Sequence, residues 1–63
     1  MSNWVQYEVW SEDGSGQSEL IDTTASRKDA LSIAERTHKE TNAIVTVYEE
    51  TLDGDYEMIK EFS

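Results

Sequence analysis

The sequence predicts an α+β fold, a single domain over residues 1–63 with the element order β-β-α-β-β. Only one segment, about 26–41, keeps a helical period of apolar residues. The segments on both sides of it alternate apolar and polar residues, and turn-forming residues divide each side into two strands. The expected architecture is a four-stranded, mainly antiparallel sheet with one helix packed on one face.

The predicted helix, residues 26–41, has an apolar stripe along one side. At about 100° per residue, Ala30 and Ala34 lie on the centre line of this stripe, and Leu31 and Ile33 flank it. Small residues at the centre allow a helix to approach a sheet closely, so the strands must supply the bulk of the core.

Both ends of this helix carry recognisable capping residues. Ser26 is the predicted N-cap, since its hydroxyl can accept a hydrogen bond from the N–H of Asp29. The Asp29 carboxylate could in turn accept from the N–H of Ser26. Asn42 is the predicted stop because asparagine tolerates the left-handed conformation that ends helices.

Four segments are rich in β-branched and aromatic residues and are the predicted strands: 3–11, 19–24, 43–51 and 56–62. A loose turn over 12–18 joins the first two, and a tight turn at Asp53-Gly54 joins the last two. The hairpins resemble each other, but aligning Asp13-Gly14 with Asp53-Gly54 requires gaps, so duplication is only suggested.

The helix returns the chain along the sheet, so two strand orders are open. The order 2-1-3-4 is antiparallel throughout, whereas 1-2-3-4 contains one parallel pair. We favour 2-1-3-4 because antiparallel pairs are commoner.

The net charge of −9, from 14 acidic and 5 basic residues, excludes several classes of partner. Direct nucleic-acid binding needs a cationic surface, and an anionic membrane would repel this chain. No run of apolar residues is long enough for a membrane span, and the N-terminus lacks the pattern of a signal peptide. We therefore expect a cytoplasmic protein.

The acidity itself has three interpretations. It can serve solubility, it can reflect adaptation to high salt, or surface carboxylates can stand in for the phosphates of DNA.

Catalytic and metal-binding chemistry finds little support. The chain has no cysteine and one histidine, His38, which excludes a conventional zinc site. Asp53 and Asp55 do not have the spacing of a calcium loop, and the segment 14–16 has no lysine beside it and precedes a strand, unlike a phosphate loop. We expect no enzyme activity, no cofactor and no metal.

One helix can cover only one face of the predicted sheet, yet both faces are apolar. The sequence leaves open which face takes the helix. If the face of Val9 and Val47 takes it, the other face exposes apolar residues, which usually marks an interaction surface. The predicted protein-interface residues are then Trp4, Trp10, Ile44 and Tyr48.

The leading hypothesis is a small acidic protein-interaction module, homodimeric through the aromatic open face or an edge of the sheet. Contact with a different protein, a small-ligand groove, and aromatic side chains that only cover each other are the other interpretations of that face. The alternative is a phage- or plasmid-encoded inhibitor that mimics DNA and binds a nucleic-acid-binding host protein. This layout is similar to that of short β-β-α-β-β proteins that include some phage inhibitors. A further alternative is a small domain adapted to a halophile.

Overall fold

The computed structural model describes residues 5–63 and confirms both the element order and the preferred strand order. All neighbouring strands are antiparallel, and the sheet order is β2-β1-β3-β4. The helix packs on one face of this sheet. The five elements are β1 (Val5–Glu12), β2 (Ser18–Thr24), α1 (Arg27–Thr41), β3 (Ile44–Thr51) and β4 (Tyr56–Phe62).

The predicted caps of α1 are confirmed, with one difference. The Oγ of Ser26 accepts from the N–H of Asp29 at 3.2 Å, and Asn42, at φ 60°, donates its N–H to the carbonyl of His38 at 2.7 Å. The N–H of Ser26, however, donates to the Oγ1 of Thr24 at 3.1 Å rather than to the Asp29 carboxylate. The hydroxyl at the end of β2 therefore takes the role expected of Asp29.

The core between α1 and the sheet is small. Among the described residues, three of the buried side chains are valines and two are alanines, all with no exposed surface. Because the two alanines are so short, α1 can approach the central strands closely. The buried apolar residues are Tyr7, Val9, Ala30, Ala34, Val45 and Val47. The face of β1 and β3 that takes the helix is thus the valine-rich one.

Both hairpins turn in the same way. In each, a glycine with positive φ donates its N–H to the carbonyl three residues earlier: Gly16 to Asp13 at 3.2 Å, and Gly54 to Thr51 at 3.0 Å. The φ angles of the two glycines are 85° and 86°. A left-handed glycine after a turn is typical of hairpin loops that close with a G1 bulge.

Each hairpin also has an irregularity in its second strand, where Ile21 and Ile59 have no partner across the sheet. In the first hairpin it lies opposite Val9 and Trp10, and in the second opposite Val47 and Tyr48. Equivalent features of the two hairpins are therefore 38 residues apart in the sequence. The equivalent positions are Val9 and Val47, Gly16 and Gly54, and Ile21 and Ile59.

This constant spacing gives the sheet an approximate two-fold axis. Val9 and Val47 are equivalent in the two hairpins, and they also pair directly with each other between β1 and β3. The axis therefore passes through this pair, perpendicular to the sheet, and exchanges the hairpins. The gapped alignment of the two Asp-Gly pairs was wrong, because Gly54 corresponds to Gly16 and not to Gly14.

Candidate functional site

The face of the sheet away from α1, here called the open face, is not covered by the helix, which packs on the other face. Side chains alternate between the two faces of a strand, and Tyr7, Val9, Val45 and Val47 belong to the core under α1. Their neighbours along the central strands therefore lie on the open face. These neighbours are Gln6, Glu8, Trp10 and Glu12 of β1 and Ile44, Thr46, Tyr48 and Glu50 of β3.

An apolar belt crosses all four strands of this face. Leu20 on β2 pairs with Trp10 on β1, and Tyr48 on β3 pairs with Met58 on β4. Trp10 and Tyr48 are diagonal neighbours across β1 and β3, within reach for aromatic side chains. The approximate two-fold axis exchanges the two halves of the belt. The apolar belt thus consists of Leu20, Trp10, Tyr48 and Met58.

The edge members of the belt are the more exposed ones. Leu20 is 45% exposed and Met58 54%, while Trp10 and Tyr48 are half-buried. Ile44 and Tyr56, 40% and 57% exposed, lie at either side of the belt on the same face.

Three of the four predicted interface residues, Trp10, Ile44 and Tyr48, share the open face. The fourth, Trp4, lies outside the described residues. Their role in binding stays a prediction. The alternation in the sequence did not identify Leu20 and Met58 as their neighbours, because the unpaired residues in β2 and β4 change the face that each side chain takes.

Four glutamates are interspersed with the belt on the open face, and basic residues lie elsewhere. Of the described lysines and arginines, four are in α1. The fifth, Lys60 on β4, lies on the helix side, since it is opposite Val47 and its Nζ is 5.5 Å from the centroid of the Phe62 ring. The strands thus give this face a purely negative charge. The glutamates are Glu8, Glu12, Glu50 and Glu61.

Hydrogen bonds fix two of these carboxylates beside aromatic side chains. The Nε1–H of Trp10 donates to the Oε1 of Glu8 at 2.9 Å. Glu50 accepts from the Nε2 of Gln6 at 2.7 Å and from the hydroxyl of Tyr56 at 3.0 Å. The bond to Glu50 raises the pKa of Tyr56. These bonds define the positions of Glu8 relative to Trp10 and of Glu50 relative to Tyr56.

A shallow depression of about 300 Å³, open to solvent, lies beside the belt. Its walls combine the aromatic side chains of Trp10 and Tyr48 with the carboxylate of Glu12 and the hydroxyl-bearing Ser18 and Thr46. It could receive a side chain that has both an apolar stem and a cationic end.

Other candidate sites have structural roles. The Nδ1 of His38 lies 2.7 Å from the carbonyl oxygen of Ala43, and its half-buried ring is 6.4 Å from the ring of Phe62, as expected for a histidine at the edge of the core. Gly54 closes a hairpin turn after Asp53. Within residues 5–63, no three histidine, aspartate or glutamate side chains are grouped closely enough to hold a metal ion.

Comparison of the chain with protein-family models, with curated proteins and with solved structures finds no match. Across the part of the chain that the structure describes, no helix has the length and apolar character needed to cross a membrane.

Proposed function

We propose that this protein is a protein-interaction module that binds its partner through the open face of the sheet. The observation that carries the proposal is the apolar belt, which runs across all four strands and has no covering element among residues 5–63. Apolar surface of this kind, bordered by polar residues, usually marks a binding site.

The belt is not needed to complete the core. The core that residues 5–63 form lies on the other face of the sheet, between α1 and the valine-rich sides of β1 and β3. Leu20 and Met58 leave about half of their surface in water. Covering them would gain about 25 cal/mol for each Å² of apolar surface removed from water, which a bound partner can provide.

The centre of the belt has the composition of an interface hot spot. Tryptophan and tyrosine are enriched at such positions because they bury a large area at a small entropy cost. The hydrogen bond from Trp10 to Glu8 restricts the indole further. A fixed aromatic anchor loses less freedom on binding than a mobile one.

Homodimerisation through the open face or a sheet edge is one form of this proposal.

DNA mimicry has less support, since carboxylates occur on both sides of the sheet and on α1. Glu8 and Glu12 are on the open face, Glu57 is opposite Glu49 on the helix side, and Glu35 is exposed on α1. A phosphate mimic would need them concentrated on one surface. The absence of enzyme activity and of a cofactor stays a prediction.

The proposal is tested by locating where peptides from a random library bind on the protein. Peptides selected from a random library against the protein should perturb the amide resonances of Leu20, Tyr48 and Met58 and the indole N–H of Trp10 in a two-dimensional NMR spectrum. Surfaces built for binding tend to dominate such selections because their anchors are preorganised. A Trp4→Phe variant assigns the indole signal of Trp10.

Perturbations centred on the outer side of α1, at Ser32 and Glu35, would contradict the proposal. So would a selection that yields no peptide with saturable binding.

A further inference from the structure

We infer that the partner of the open face is a basic amphipathic helix of another protein, with apolar residues along one side and lysine or arginine flanking them. This inference rests on the proposed function and specifies the chemistry of its partner. It follows from the charge of the open face, from the arrangement of its glutamates and from the length of the belt.

The charge of the open face selects against an acidic or neutral ligand. Four glutamates lie among the apolar residues, while the described basic residues belong to α1 or to the helix side of β4. A ligand that covers the belt also removes water from these carboxylates. Such carboxylates need a cationic counterpart, because a charge desolvated without a partner is strongly destabilising.

A second copy of this chain does not provide that counterpart. Pairing two open faces would bring two sets of four glutamates together, between chains that each have a net charge of −9. Like charges across an interface oppose association. A basic partner reverses the sign of the same interactions, and attraction to the acidic surface also accelerates its encounter with the site.

The glutamates flank the belt in a way that suits a helix. Glu12 lies beyond Trp10 on one side of the belt, and Glu50 lies beyond Tyr48 on the other. These residues are 38 positions apart, so the approximate two-fold axis exchanges them. A helix laid along the belt would direct its apolar side at the aromatic rings and its flanking cations at Glu12 and Glu50.

The belt has the length of a short helix. Four strands about 4.8 Å apart span roughly 14 Å. A helix with a rise of 1.5 Å per residue covers this distance in about ten residues. Residues i, i+3 or i+4, and i+7 of such a helix would contact the belt in turn.

The test uses three synthetic peptides of about 15 residues. The first has leucines at i, i+3, i+4 and i+7 spacing and lysines elsewhere; the second replaces every lysine by glutamate; the third has the composition of the first with the leucine stripe scrambled. Titrations are followed by NMR at about 0.1 M salt. We expect the first peptide to bind at least about tenfold more tightly than either of the others.

Paired variants locate the charge effect. One double variant carries Glu12→Gln and Glu50→Gln on the open face. The other carries Glu35→Gln and Glu40→Gln at exposed positions of α1. Both change the net charge by the same amount. The open-face pair should weaken binding of the leucine-lysine peptide about fivefold or more, and the α1 pair by less than about twofold. Circular dichroism confirms that both variants fold.

Several results would overturn the inference. Equal losses in the two paired variants would indicate diffuse attraction, and equal binding of the scrambled peptide would remove the role of the stripe. A dimer in sedimentation that dissociates on Trp10→Ala would make a second copy the occupant. In that last case the open face still binds protein, so the proposed function stands while the inference on partner chemistry fails.

Discussion

Tyr7 connects the two central strands from within the core. It is 7% exposed, and its hydroxyl donates to the Oε2 of Glu49 at 3.0 Å. Burial of the ring raises the pKa of Tyr7, and the hydrogen bond to Glu49 raises it further. Tyr56 makes a similar bond to Glu50 on the open face, but it is exposed. The two tyrosines therefore provide a matched comparison of the same kind of bond in half-buried and exposed surroundings.

Replacing the buried tyrosine should weaken the fold measurably. We expect Tyr7→Phe to lower the free energy of unfolding by about 1 kcal/mol, because a half-buried hydrogen bond to Glu49 is lost while the ring is kept. Urea denaturation at neutral pH measures this change. Tyr56→Phe is the control, and it should cost less because Tyr56 is exposed and water can replace its hydroxyl as a donor to the Glu50 carboxylate.

The Tyr7→Phe variant also tests a pH dependence. Since the pKa of Tyr7 is raised above its ordinary value of 10.0, its contribution to stability is fully present below pH 10.0 and is lost as the pH rises through the raised pKa. The Tyr7→Phe variant should lack that alkaline loss. Equal alkaline profiles for the wild type and Tyr7→Phe would contradict this role.

At the scale of the elements, the two hairpin loops depend on a single backbone conformation. Gly16 and Gly54 have positive φ, while Gly14 in the first loop does not. None of the three has an atom within 4 Å of the position that a Cβ would occupy. Packing is therefore not the reason for glycine at these sites, and any difference between them reports backbone conformation alone.

Alanine substitutions should separate these glycines. Gly16→Ala and Gly54→Ala should each lower the free energy of unfolding by about 1 kcal/mol, since a side chain disfavours the left-handed conformation. Gly14→Ala should be neutral or slightly stabilising, because it restricts only the unfolded chain. Thermal denaturation of the three variants measures these differences in stability. A loss at Gly14 equal to that at Gly54 would contradict the loop geometry.

The helix and its caps could be predicted because they depend on neighbouring residues. Ser26 and Asn42 act through hydrogen bonds within a few positions of the chain. The irregularities in β2 and β4 could not be predicted, since no residue type marks them. Regular alternation along residues 56–62 would place Phe62 on the same face as Tyr56 and Met58. The unpaired Ile59 reverses this placement, and Phe62 packs against the core.

The same limitation applies to the candidate site. Trp10, Ile44 and Tyr48 could be grouped from the sequence because β1 and β3 alternate regularly. Leu20 and Met58 could not be added, because their positions depend on the irregular pairing of the edge strands. Which face takes the helix depends on packing against Ala30 and Ala34, and alternation alone does not choose between two apolar faces.

At the scale of the whole molecule, the two sides of the sheet have different chemistry. The helix side contains the buried valines and the described basic residues, and the open face contains the belt and four glutamates. The approximate two-fold axis relates the hairpins within the sheet but not its faces, because in the described part of the chain a helix packs on one face only. Among residues 5–63 no element covers the second face, so the proposed partner would bind there without disturbing the core.

The most direct test removes the two ends of the belt and measures stability and binding together. In Leu20→Thr with Met58→Thr, the affinity for a peptide selected against the wild type should fall at least about tenfold. The free energy of unfolding should fall by only about 1–2 kcal/mol, since both side chains are half exposed in the free protein. An unchanged affinity in the folded double variant would contradict binding through the open face.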